Sequence, residues 1–292
     1  MKPRALAAVF IGSEGLRAGW GLLLFAAILV LLIGALFLTL PFSRSRELEL
    51  FQTEAMLLVA VSGSTAIMAW VERRGLLSYG LSDPRGLSRV LWGSLWGVVL
   101  LTLLIGGLLA IGHVAIEGAP AARAVLYGLG YAAGLLIVAL QEEMLLRGYL
   151  QVTLGRLVGF WPAAGLLSVA FGLMHWGNPG ESLLGLLAAM LVGGVLCLAL
   201  RLSGSLWWAI GFHAAWDWAQ AFFWGTPVSG FVLEGRLMRS RPLGDPLWSG
   251  GATGPEGSLL VVPILALAVL VVVRSFARSN RATQSRGGVE PG

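Results

Sequence analysis

Charge is scarce in this 292-residue chain. Asp, Glu, Lys and Arg make up 12% of it, against 57% hydrophobic residues, where soluble domains are about a quarter charged. This excludes an ordinary soluble domain and makes chain length no guide to domain count. Lysine is nearly absent: Lys2 is the only one among 20 basic residues. That arginine bias, with 41 glycines, is the signature of a GC-rich, bacterial source. Cys197 is the single cysteine, which excludes an internal disulfide and a multi-cysteine metal centre. Inside the apolar run 183–200 it reads as a small buried apolar side chain. No phosphate-binding loop, dinucleotide fingerprint or internal repeat is found. The net charge is +5, but the basic residues sit mostly in short loops and at the C-terminus. Such placement marks membrane topology against anionic lipid, and no nucleic-acid surface is expected.

What is present is a series of apolar runs, which makes the expected fold class all-α: a polytopic membrane helix bundle of about eight spans. The runs are 19–40, 51–71, 90–113, 124 to about 157, 160–176, 183–200, 206–224 and 259–276. The second carries Glu54 near its start. A Gly/Pro-rich loop, 226–258, precedes the last. Residues 1–17 are expected to form a cytoplasmic leader, 18–277 a single transmembrane domain, and 278–292 a disordered tail. Eight spans place both termini on one side. Fourteen basic residues, Arg147 among them, fall on the side of the termini and six (Arg44, Arg46, Arg123, Arg236, Arg239, Arg241) on the other. By the positive-inside rule both termini are expected in the cytoplasm, in a cell membrane, here a bacterial inner membrane. The same rule leads to the expectation of a cavity open to the cytoplasm.

Three polar elements interrupt the apolar background. Gln141–Tyr149 reads QEEMLLRGY and puts Glu142, Glu143 and Arg147 beside a membrane segment. Ionised groups at mid-bilayer cost about 2.5–3.5 kcal/mol each on the insertion scale. On an α-helix, Glu143 and Arg147 are four apart with the acid first, the favourable ion-pair orientation. Glu142 lies about 100° round the helix and stays free to act. Considered alone, the stretch is equally a juxtamembrane charge cluster. The second element is Phe171 followed four residues on by His175; the third is His213 followed four residues on by Asp217. Each pair shares a helix face, and Asp217 can hold one tautomer of His213. A lone intramembrane histidine is by itself most often a helix–helix hydrogen bond. His113, the third histidine, reads as interfacial, beside Glu117. Gly130 and Gly134 form a GxxxG that suits close helix approach.

EExxxR, FxxxH and HxxxD, in that order and in separate apolar segments, together resemble the CAAX protease and bacteriocin-processing family of glutamate-dependent intramembrane proteases, over about 124–224. Many members of that family carry Asn where this chain has Asp217. The resemblance implies an intramembrane endopeptidase. Peptide hydrolysis needs a water, a base and donors for the oxyanion. Glu142 is then the candidate base, Glu143 and Arg147 a supporting pair (the two acids' roles being exchangeable), His175 the group that positions water, and His213 with Asp217 the oxyanion and leaving-group partners. A zinc alternative uses Glu142, His175 and His213 as ligands with Glu143 as base. The expected partner is a peptide or membrane-protein substrate, cut near its C-terminus, in contact with membrane lipids. The competing readings are a non-catalytic scaffold or bacteriocin-immunity binding protein, and a proton-coupled transporter.

Overall fold

The computed structural model describes residues 10–12, 15–43, 46–118 and 124–286. Most of the expected leader and the end of the expected tail lie outside the described residues. The architecture is helical. In chain order, the helices are α1 (Ala18–Thr39), α2 (Arg46–Val71), α3 (Gly86–Ala110), α4 (Ala124–Glu143), α5 (Gln151–Val158), α6 (Phe160–Met174), α7 (Leu183–Ser203), α8 (Trp207–Trp218), the single turn α9 (Pro246–Ser249) and α10 (Val261–Arg286). Two small antiparallel ladders accompany them: β1 (Ile11–Gly12) with β2 (Gly15–Leu16), and β3 (Val114–Ile116) with β4 (Ser240–Pro242).

Five helical stretches among the described residues are long and apolar enough to cross a membrane: Ala18–Thr39, Leu48–Val71, Gly86–Ala110, Ala124–Val158 and Leu183–Ser203. Phe160–Met174 and Val261–Phe276 are apolar but shorter. The expected seventh span, 206–224, is instead α8 followed by a π-helical turn, Ala219–Phe223. The expected count of eight is therefore not reached by this measure. The last helix also runs on to Arg286, past residue 276.

The expected fourth span is one stretch of 35 residues, but not one uniform α-helix. Between α4 and α5 the backbone widens into a π-helical segment, Met144–Leu150, and leaves helical geometry at Gly148. Such turns are rare and recur at functional sites.

The tightest helix pairing joins α3 to α8, and glycine makes it possible. A Cβ on Gly93 would run into the Trp208 carbonyl, one on Gly97 into the Phe212 carbonyl, and one on Gly211 into the Val90 carbonyl. This pairing is part of the largest buried cluster, with Leu101, Leu104, Trp208, Phe212 and Ala268. In the GxxxG singled out by sequence, a Cβ on Gly134 would strike the Phe51 ring, whereas Gly130 meets nothing. Cys197 is fully buried. By contrast α1 leaves Leu23, Val30, Leu31 and Leu38 well exposed, as a lipid-facing helix does.

The bundle has two distinct ends. At the first, Glu72, just beyond α2, is a buried hub. It accepts hydrogen bonds from Tyr149 (2.9 Å) and Tyr79 (3.3 Å) and pairs with Arg156 (2.9 Å) and Arg74 (3.6 Å). Burial and the Glu72 carboxylate push the Tyr79 hydroxyl up to about 12, so it remains a donor. The same end is tied together by Leu206 N–H to the Gly80 carbonyl and by Arg89, which donates to the Ser203 carbonyl and lies over the Phe276 ring. At the second end, Tyr131 donates to the Glu234 carbonyl, Trp218 to the Gly128 carbonyl and Thr253 to the Gly180 carbonyl. There the 226–258 loop folds over the helix ends.

Candidate active site

The three sequence motifs converge. Glu143 and Arg147 are both fully buried and joined by a 3.0 Å ion pair. His213 Nδ1 lies 3.1 Å from the same Glu143 oxygen. The other ring nitrogen, Nε2, lies 3.5 Å from both Glu142 and Asp217. One imidazole thus joins both acids of EExxxR to the acid of HxxxD. Nδ1 has the Glu143 carboxylate as its hydrogen-bond acceptor, and Nε2 stands near two further carboxylates.

His175 caps the C-terminus of α6, and its Nδ1 lies 2.9 Å from the Phe171 carbonyl. A carbonyl can only accept, so Nδ1 carries the hydrogen and, in the neutral ring, Nε2 offers a lone pair. Phe171 is the hinge of the arrangement. Its ring meets His175 and His213 edge-on, with centroids 5.0 and 5.8 Å away, and Arg147 stacks on its face at 4.5 Å. A buried guanidinium over an aromatic face gains cation–π attraction that partly offsets its desolvation.

Glu142, His175, His213, Asp217 and Phe171 line one cavity of about 310 Å³. Glu143 and Arg147 sit behind its wall as support. The cavity also reaches residues that the motifs do not contain. Glu54 of α2 lines it, with Oε2 buried and without a hydrogen-bond partner among the described residues. Gln141, Asn178 and Glu181 contribute polar groups. Glu256 reaches in from the long loop, held by the Gln220 side chain and the Ser229 N–H. Burial pushes Glu256 up to about 8, against the pull of those donors. A carboxyl inside an apolar span was the signal for Glu54. Gln220, which holds Glu256, lies three residues after Asp217 in the π-helical turn that follows α8. No local pattern marks Glu256, because a loop position acquires meaning only after the loop folds back.

His113 stands apart from the site: its Nδ1 meets the Leu243 carbonyl, and Glu117 pairs with Arg241. For the zinc alternative, no three His, Cys, Asp or Glu side chains among the described residues are grouped to hold a metal ion, and both nitrogens of His213 already face carboxylates.

Fold and site define a polytopic helical membrane protein with a Glu–His–Asp cluster enclosed between its helices. Residues 124–219 match the family described as Type II CAAX prenyl endopeptidase Rce1-like, from the first residue of α4 to the residue after α8. The chain thus carries an Rce1-like domain of the CAAX protease family, the domain of a membrane endopeptidase. No curated protein matches the chain.

Proposed function

We propose that the protein hydrolyses a peptide bond of a membrane-associated protein or peptide, without metal, through Glu142. The observation that carries this reading is the shared cavity in which an acid (Glu142), an imidazole with a lone pair on Nε2 (His175) and a second, carboxylate-flanked imidazole (His213) face one another. A water held by His175 Nε2 gives its proton to the Glu142 carboxylate as its oxygen bonds to the scissile carbonyl carbon. His213 acts as the imidazolium, flanked by three carboxylates: its Nδ1–H is held by Glu143, and its Nε2–H, which otherwise faces Glu142 and Asp217, gives a hydrogen bond to the resulting oxyanion. When the C–N bond breaks, Glu142 returns the proton to the leaving amine, giving a carboxylic acid and an amine. Each role is ordinary acid–base or electrostatic catalysis. Glu143 acts through others: its charge is matched by Arg147 and it fixes His213 Nδ1.

The test is Glu142→Gln in purified protein and in cells. Peptide termini that disappear from the membrane proteome of the variant, with an unchanged melting temperature, support the reading. Unaltered termini in a folded variant leave a scaffold or immunity-type binding protein, with the polar cluster acting only in packing.

A further inference from the structure

Two expectations drawn from the arginine distribution, cytoplasmic termini and a cytoplasmic cavity, exclude each other in this fold. The cavity runs from Glu142 and His213 inside the bundle toward one end of it, where its walls are Leu50, Phe51 and Glu54 at the start of α2, Asn178 and Glu181 after α6, and Ser229 and Glu256 in the long loop. That end holds the α1–α2, α3–α4 and α6–α7 connections and the 226–258 loop. The chain enters α1 at Ala18 and passes Phe276 at the other end, where Gly21 sits beside Tyr149 and Glu72, and Phe276 beneath Arg89.

His175, at the end of α6, opens directly into the Asn178–Glu181 connection at the cavity end. Arg147 is fully buried beside Glu143 and leaves the topology count, yet the bias survives. Among the described residues eleven arginines besides Arg147 stand at the termini end and four at the cavity end, and arginine-rich short connections stay cytoplasmic.

We infer that the cavity is served from the non-cytoplasmic face of the membrane, so that the substrate is a peptide segment lying at that face. The inference rests on the peptidase reading for the word substrate, but its geometry does not. A lipid-modified C-terminus made and kept in the cytoplasm is then out of reach. The eligible class is an extracytoplasmic juxtamembrane segment or an exported peptide that partitions into the outer leaflet.

The experiment uses the full chain in intact cells, with Cys197→Ala removing the buried native thiol. Val232 and Leu77 are each 54% exposed, the first between cavity-lining Phe231 and Leu233, the second at the termini end. Neither belongs to the proposed catalytic machinery. A membrane-impermeant maleimide is expected to label Val232→Cys in whole cells and Leu77→Cys only after permeabilisation, at least tenfold apart. The reverse order overturns the inference. Labelling of both variants in detergent verifies that each thiol is accessible in folded protein. If the labels reverse while Glu142→Gln still abolishes product termini, the orientation falls and the peptidase stands. If the labels fall as expected while Glu142→Gln changes no terminus, the peptidase falls and the orientation stands.

Discussion

Glu72 and Glu142 are the same residue type in the same bundle, and their surroundings could hardly differ more. Glu72 is closed on all sides by two tyrosine hydroxyls and two arginines. Glu142 faces a cavity that also holds Glu54, Asp217 and Glu256 and is lined by no arginine or lysine. A satisfied carboxylate is a fastener; one left beside a cavity and an imidazole is where the proposed reaction needs its base. Glu143 stands between the two, buried and matched by Arg147, yet touching His213. The comparison teaches that partners, more than depth, separate a structural acid from the acid proposed as base.

The largest effect is expected where reactivity is concentrated. Glu142→Gln should lower peptide turnover by about 10²–10⁴-fold, the usual worth of a positioned acid–base group, with little change in melting temperature. Next comes the intermediate acid. Arg147→Met strands Glu143 in the interior and should destabilise the protein by about 3–5 kcal/mol. Adding Glu143→Gln should recover much of that in thermal unfolding, while activity stays low because His213 loses a partner. Glu72→Gln should lower stability by about 1–3 kcal/mol through its stranded partners, and turnover per folded molecule should be unchanged; a parallel loss of turnover would break the division between fastener and catalyst. Of similar or smaller size, Gly97→Leu should separate α3 from α8 at a cost of about 1–3 kcal/mol, read as a lower melting temperature in detergent.

The smallest effect concerns pH. The Glu256 carboxyl is raised from 4.5 to about 8, so the folded protein holds a proton that the unfolded chain releases first. Its contribution to stability is complete below about 4.5 and is lost as pH rises through about 8. Glu256→Gln should flatten that decline in melting temperature. An unchanged slope would assign the decline to other groups.

Much of this was legible before any coordinates. Apolar runs locate the long helices because a spanning helix must satisfy its backbone internally and cover itself with apolar side chains. The four-residue spacings of Glu143–Arg147, Phe171–His175 and His213–Asp217 place each pair on one face, and all three pairs meet. The sequence could not show which acid His213 would choose, since Glu142 and Glu143 differ only by a rotation of the helix that tertiary packing sets. It also concealed the division of the 206–224 run into α8 and a π-helical turn, because hydropathy is insensitive to a change of backbone period. Gly93 and Gly97 were lost among the many glycines, although a carbonyl approaches each one too closely for any side chain. Glu256 lies far from every motif in sequence and joins the cavity only through tertiary contacts.

The widened backbone at Met144–Leu150 has one more consequence. Arg147 on that segment serves the cavity, and Tyr149, two residues later, serves Glu72 at the far end. The segment is therefore a phase adjuster between two otherwise separate assemblies. Removing a single residue from it would turn everything downstream by about 100° relative to α4. Tyr149 and Arg156 would swing away from Glu72 together, while Glu142 and Glu143 kept their own places. A deletion one residue long would then uncouple the bundle's anchorage from its chemistry, an outcome beyond the reach of any substitution there.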